Sequence, residues 1–283
     1  MALSHGPKEP LGVQSGLVLY LDAANARSYP KSGTTWFDRS GNGNNGALQN
    51  GVGYNSANFG SLSFDGVNDY VSYGTSLGNG FSAITVNVWV KPTTFPNTTF
   101  IFEHLISSDD GSSGGLESCF SLQIAHQNNP TGGLPASFIG NSIYFGIRTS
   151  TQSSISRNTP IAIIDGTLSG NIPYITGCAI SVNPPEYYLN GWMFLTGVYT
   201  GNETLLYING IQKATSNLQP DGTNRSLSGV LNTSSILRTI GADASASGTF
   251  TGSIPQTSIY NRALSASEIK QNYNALKSRY GLT

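Results

Sequence analysis

The feature that most constrains this chain is a succession of short apolar or alternating runs separated by Gly, Asn, Asp and Pro. Residues 84–90 alternate strictly, which places every second side chain on the same face of a strand. Comparable runs occur at 16–21, 61–65, 70–73, 99–103, 120–125, 142–147, 191–199, 205–208, 236–240 and 250–260. The pattern predicts an all-β protein in which two antiparallel sheets pack face to face. We expect the sheets to bury Leu19, Phe64, Val86, Val88, Phe194, Leu206 and Ile259.

The clearest turn signal is Asn209-Gly210, which separates 205–208 from 211–214. A two-residue type I′ turn needs a positive φ angle at both central residues, and Asn and Gly tolerate it best. The dipeptide therefore predicts a β-hairpin at this position.

One helix is predicted, at the C-terminal end of the sequence. Ser265 is followed three residues later by Glu268, which is the spacing of a capping box. The apolar residues that follow recur at helical spacing and form one stripe: Ile269, Tyr273, Leu276 and Tyr280. This stripe predicts a short amphipathic helix that packs on a sheet.

The 283 residues divide into an N-terminal arm and one domain. Residues 1–15 contain Pro and Gly and lack periodicity, so we expect an attachment arm, with 16–283 as one β domain. Residues around 105–190 are less regular, and we expect an irregular insertion there.

Charge and hydropathy exclude several kinds of partner. The chain has 14 basic and 15 acidic residues, a net charge of −1, and lacks the clustered Lys and Arg that hold a nucleic-acid backbone. No run approaches the roughly 18 apolar residues of a membrane span, and the first residues lack the pattern of a signal peptide. Cys119 and Cys178 either pair as a disulfide or are two buried free thiols.

The acidic and histidine residues do not form a recognisable catalytic pattern. Glycoside hydrolysis needs two opposed carboxylates, and no strand carries alternating acids, so we predict no catalytic residues and no enzyme. Glu103 and Glu117 are the residues to test for a hydrolase. His104 and His126 flank Cys119, but their spacing matches no common zinc motif.

Acidic loops are better candidates for a metal site. Asp109 and Asp110 precede a glycine-rich stretch, and Asp243 follows a predicted strand. Ca²⁺ takes six to eight oxygen ligands, which such loops supply from carboxylates and backbone carbonyls. We therefore predict Ca²⁺ at Asp109, Asp110 and Asp243, with solvated Asp turns as the alternative.

Several segments resemble the LamG-like jelly rolls of the concanavalin A-like lectin/glucanase superfamily. They are SFDGVNDYV at 63–71, ITVNVWVKP at 84–92, Trp192, YING at 207–210 and IYNRALS at 259–265. The resemblance implies a jelly-roll fold and, by position, the same three aspartates as calcium ligands. The sequence departs from the family after Ile254, where Pro255-Gln256 replaces an acid that many relatives carry.

Other segments resemble virion structural proteins of tailed bacteriophages, especially marine and cyanobacterial ones. They are LVLYLDA at 17–23, YPKSGTTW at 29–36, SGNGNNG at 40–46 and NYNALKSRYG at 272–281. The resemblance implies a non-enzymatic capsid-decoration, fibre or tail-associated protein, assembled in the host cytoplasm and located in the virion. The partners it implies are other virion proteins, host-surface glycans and further copies of this chain. A Ca²⁺-dependent carbohydrate-binding lectin and a glycoside hydrolase remain the alternatives.

Overall fold

The computed structural model describes residues 12–94, 101–108, 119–127, 140–151, 161–165, 179–181, 190–216 and 228–283. The strands in these ranges are β1 Leu17–Asp22, β2 Thr35–Trp36, β3 Gly46–Gln49, β4 Gly53–Asn55, β5 Ser61–Asp65, β6 Tyr70–Ser72, β7 Ile84–Pro92, β8 Ile101–Ser107, β9 Phe120–Gln127, β10 Gly140–Ile147, β11 Ile161–Asp165, β12 Ala179–Ser181, β13 Met193–Tyr199, β14 Thr204–Ile208, β15 Ile211–Ser216, β16 Thr239–Ile240 and β17 Thr251–Tyr260. Helix α1 is Ala266–Leu276, and a 3-10 turn, Lys277–Tyr280, continues it.

The strands form two sheets, as the sequence predicts. The eight-stranded sheet has the order β15-β14-β13-β7-β17-β5-β4, and β1 pairs with the second half of β17. The nine-stranded sheet has the order β12-β11-β10-β9-β8-β16-β6-β3-β2. Neighbouring strands are antiparallel except for β11 and β12, which are parallel.

The main core lies between the two sheets. All seven residues that the sequence predicts to be inside are buried, and six of them belong to this core: Leu19, Phe64, Val86, Val88, Leu206 and Ile259. Burying each of these large side chains stabilises the fold by about 1.5–3 kcal/mol. The seventh, Phe194, lies on the other face of its sheet.

A second apolar cluster covers the outer face of the eight-stranded sheet. Trp89 and Phe194 project from this face and pack against α1 through Ile269 and Leu276. The rings of Trp89 and Tyr280 lie 4.4 Å apart between centroids. Both faces of β7 are therefore buried, one by the opposite sheet and one by the helix.

The predicted helix cap is confirmed. Ser265 accepts a hydrogen bond from the backbone N–H of Glu268, and the Glu268 carboxylate accepts one from the backbone N–H of Ser265. Arg262 forms a 2.6 Å ion pair with the same carboxylate. The apolar stripe of α1 then faces the sheet because the cap fixes where the helix begins.

Residues 1–11 of the predicted arm lie outside the described residues, but residues 12–15 are bound to the domain. The backbone N–H of Val13 donates to Asn272 Oδ1 at 2.8 Å, and Tyr260 Oη donates to the Val13 carbonyl at 2.8 Å. Arg262 Nε donates to the Ser15 carbonyl at 2.9 Å. These contacts hold residues 12–15, which we call the strap, against α1 and β17.

The segment predicted as a strand at 236–240 forms ladder pairs only at Thr239 and Ile240. The backbone of Arg238, just before them, is still hydrogen-bonded to Tyr73 and Gly74. Arg238 is fully buried, and its guanidinium donates to the Leu77 carbonyl and to Asn79 Oδ1. It also lies 3.3 Å from the sulfur of Cys119, which is a buried free thiol. Cys178 lies outside the described residues.

None of the described helices combines the length and the apolar character that a bilayer-spanning helix needs.

Candidate functional site

Two loops meet at the end of the sandwich where β5 ends, β8 begins and β17 begins. We call these loops, residues 65–69 and 241–250, the rim. Thr251 pairs with Asp65 in the sheet, and Thr249 Oγ1 donates to the Gly66 carbonyl at 2.6 Å. The backbone N–H of His104 donates to the Gly248 carbonyl at 2.8 Å, so the rim is also joined to β8.

Asp243 organises the second loop of the rim. Its Oδ1 accepts hydrogen bonds from the Ser245 N–H at 2.9 Å, the Ser245 hydroxyl at 2.7 Å and the Ser247 N–H at 2.8 Å. Its Oδ2 accepts one from the Ser247 hydroxyl at 2.5 Å. Asp243 is buried, whereas Ser245 and Ser247 are exposed. The buried carboxylate therefore fixes an exposed hydroxyl-bearing turn.

Asp65 and Asp69 shape the first loop in a similar way. Asp65 Oδ1 accepts from the Val67 N–H at 2.8 Å, and the Asp65 N–H donates to Asp69 Oδ2 at 3.1 Å. Burial raises the pKa of the Asp69 carboxyl above its usual value, and the hydrogen bond from Asp65 offsets this only in part. Val67, at the tip, is 72% exposed. The loop is thus rigid at its base and apolar at its tip.

A buried polar network lies on the outer face of the nine-stranded sheet, beside the rim. His104 Nδ1 is 3.1 Å from Ser107 Oγ and 3.2 Å from Gln123 Nε2, which also donates to Ser121 Oγ at 2.6 Å. A register shift in β8 between His104 and Ile106 allows His104 and Ser107 to share this face. Glu103 is fully buried.

Of the three predicted calcium ligands, only Asp243 lies within the described residues. Asp109, Asp110 and Glu117 lie outside the described residues, as does the side chain of His126. Within the described ranges, no three His, Cys, Asp or Glu side chains are arranged to hold a metal ion.

Two groups of residues, one in the rim and one beside it, are absent from the sequence-based candidates. Asp65 and Asp69 lie inside the FDGVNDYV segment, where an acid on each side of a Gly-containing turn is a signal for a structured loop. Ser121 and Gln123 alternate with Phe120 and Leu122, which predicts a polar outer face on β9. Their link to His104 depends on the β8 bulge, which the sequence does not signal.

Comparisons with known proteins show which family this chain is similar to. The model of the Laminin_G_3 family, described as the concanavalin A-like lectin/glucanases superfamily, matches residues 64–270. A comparison with curated protein sequences finds no match.

Solved structures with the same fold include two toxin domains and one enzyme domain. The binding domain of Paraclostridial Mosquitocidal Protein 1 is 15% identical with a TM-score of 0.58, covering 95% of this chain and 56% of that one. The botulinum neurotoxin serotype D binding domain is 15% identical with a TM-score of 0.56, covering 93% and 52%. The chain thus spans about half the length of these two domains.

Domain 4 of AbnA, an extracellular arabinanase from Geobacillus stearothermophilus, was solved in complex with arabinotriose. It is 15% identical with a TM-score of 0.54, and the match covers 92% of this chain and 98% of that one. At these identities the similarity establishes the lectin-like jelly-roll fold.

Proposed function

The chain belongs to the concanavalin A-like lectin/glucanases superfamily, and we propose that it is a non-enzymatic, glycan-binding module displayed on a bacteriophage virion. The observation that carries the proposal is the rim. Its buried acids are bonded within their own loops, and the hydroxyls of the exposed Ser245 and Ser247 donate to Asp243, which holds their oxygens in place as hydrogen-bond acceptors. Hydroxyls held in fixed positions suit hydrogen bonding to a sugar at low entropic cost.

The same bonds argue against catalysis by the rim. A glycosidase needs one carboxyl group to donate a proton and another to act as nucleophile or base. Asp243 instead accepts four hydrogen bonds from its own loop, and these bonds engage both of its carboxylate oxygens. The related arabinanase domain bound to arabinotriose supports a sugar ligand for this fold.

A glycan array tests the binding proposal. We expect the purified chain to bind a defined set of glycans, and a Ser245→Ala/Ser247→Ala variant to bind them more weakly at a temperature at which circular dichroism shows that it is folded. This check is needed because the variant also loses two hydrogen bonds to the buried Asp243 carboxylate. Calcium at Asp109, Asp110 and Asp243 is part of the proposal, and a chelator arm tests it. Loss of binding in chelator, restored by Ca²⁺, supports it, and unchanged binding contradicts it.

The virion role is supported by the resemblance of the segments at 17–23, 29–36, 40–46 and 272–281 to phage structural proteins. The strap adds a physical reason, because it holds residues 12–15, to which the arm is joined, against the domain. Deleting residues 1–11 keeps the strap, so we expect unchanged folding and lost incorporation into particles, measured by mass spectrometry of purified virions. Normal occupancy of the truncated chain would rule out the arm as the anchor.

A further inference from the structure

A row of side chains crosses four neighbouring strands on the outer face of the eight-stranded sheet. Ser253 of β17 pairs with Ser63 of β5 on one side and with Lys91 of β7 on the other. Trp192 directly precedes Met193, whose partner Val90 precedes Lys91, so Trp192 lies beside Lys91. We call Ser63, Ser253, Lys91 and Trp192 the outer row.

The outer row faces away from the core and is not covered by α1. Its sequence neighbours Phe64, Ile254 and Val90 are in the core between the sheets, so alternation turns the row outward. All four members are partly exposed, whereas Trp89, two residues before Lys91 on the same face, is completely buried under the helix. The helix therefore covers one part of this face and leaves the row accessible.

Hydrogen bonding separates the two parts of the face. Under the helix, Thr85 Oγ1 donates to the Arg262 carbonyl at 2.8 Å, and Asn87 Oδ1 accepts from Thr196 Oγ1 at 2.7 Å. In the outer row, the hydroxyls of Ser63 and Ser253 and the ammonium of Lys91 make no hydrogen bond or ion pair to any described residue. These groups keep their full capacity to bond a ligand.

Trp192 supplies a fixed apolar surface at one end of the row. Its ring centroid lies 4.7 Å from that of Tyr280, and Lys91 Nζ is 5.7 Å from the Trp192 centroid. Packing on Tyr280 orients the indole before any ligand arrives. Three spacings between strands, each about 4.8 Å, separate Ser63 from Trp192, so the row is roughly 14 Å long.

We propose that the outer row binds an oligosaccharide, with one sugar ring packed on Trp192 and hydroxyls of the following rings bonded to Lys91, Ser253 and Ser63. An aromatic surface with a few convergent polar groups is the composition of a small-molecule site. The proposal rests on the proposed glycan-binding function and gives it a second contact surface, separate from the rim.

Tryptophan fluorescence tests the proposal because the chain has three tryptophans and two of them are inaccessible. Trp36 and Trp89 are fully buried, so iodide quenches mainly the emission of Trp192. With a panel of soluble neutral and uronate-containing tetrasaccharides as the probe, we expect saturating ligand to protect the emission from iodide. Trp192→Phe should remove the quenchable emission.

Variants locate the ligand. We expect Trp192→Ala to weaken binding about tenfold, which is the usual loss when an anchoring aromatic residue is truncated. Ser253→Tyr places a bulky side chain in the outer row, and we expect it to weaken binding by about the same factor. Phe37→Ala, which truncates another exposed aromatic ring, and Lys270→Gln, which removes a charge from α1, should bind like the wild type. Thermal unfolding checks that each variant folds. If Trp192→Ala does not fold, Ser253→Tyr still tests the proposal, because it leaves the packing of Trp192 on Tyr280 intact.

Two outcomes separate failure of this proposal from failure of the proposed function. Binding that leaves iodide quenching unchanged, resists Ser253→Tyr and is lost in Ser245→Ala/Ser247→Ala overturns the outer row and supports the rim. The absence of binding to every tetrasaccharide and every array glycan overturns both.

Discussion

Asn272→Ala should destabilise the protein more than the loss of one small polar side chain suggests, because Asn272 holds the strap against the domain. Its Oδ1 accepts from the Val13 N–H at 2.8 Å, and its Nδ2 donates to Tyr260 Oη at 3.2 Å. Leaving the buried Val13 N–H without an acceptor costs about 1–3 kcal/mol, and the second bond contributes about 1 kcal/mol. We expect a loss of about 2–4 kcal/mol in the free energy of unfolding.

At about 2 °C per kcal/mol for a domain of this size, the melting temperature should fall by about 4–8 °C, as measured by calorimetry. Asn274→Ala is the matched control, since Asn274 lies on the same helix and is exposed. A double-mutant cycle with Tyr260→Phe should show coupling, because Tyr260 Oη bonds both Asn272 and Val13. Equal melting temperatures for the two Asn variants would refute the role assigned to the strap.

Three further changes test other parts of the structure. Arg262 and the Ser265 cap lower the pKa of Glu268 from its ordinary value of 4.5 to about 2. The charged Glu268 carboxylate therefore stabilises the fold fully above pH 4.5, and this stabilisation is lost as the pH falls towards 2. Glu268→Gln should therefore cost about 1 kcal/mol at pH 7, and the difference from wild type in urea unfolding should shrink below pH 4.5; a constant difference would contradict the assignment. Asp243→Ala should destabilise its loop by about 2–3 kcal/mol, seen as faster amide exchange at residues 245 and 247; unchanged exchange would show that the carboxylate does not hold the turn. Gly197→Ala would place a Cβ 2.2 Å from Phe145 Cδ2 and should cost about 1–3 kcal/mol, lowering the denaturant midpoint, whereas an unchanged midpoint would contradict the close approach of the two sheets.

Local signals in the sequence predict much of the fold because they act over a few residues. Asn209 and Gly210 have φ angles of 52° and 75°, as a type I′ turn requires. The Ser265–Glu268 capping box fixes the start of α1. Alternation predicts β5 with the bounds found in the structure and predicts most of β7.

The remaining features depend on residues far apart in sequence. Alternation in β7 does not indicate that the Asn87 face is buried, because α1 covers it from some 180 positions away. Nor does alternation indicate that the Arg238 side chain is fully buried, since its acceptors, Leu77 and Asn79, come from another loop. The rim has the same origin: Asp243 is visible as an acid after a strand, but the hydrogen bond between Gly248 of the same loop and His104 of β8 depends on the sheet order.

Binding without turnover is the property on which the proposed function depends. A direct test incubates the purified chain with the tetrasaccharide that it binds best, follows saturation by titration calorimetry, and analyses the sugar afterwards by mass spectrometry. We predict saturable binding and quantitative recovery of intact tetrasaccharide after prolonged incubation. Shorter products that accumulate with time and disappear in a Glu103→Gln or Glu117→Gln variant would contradict it.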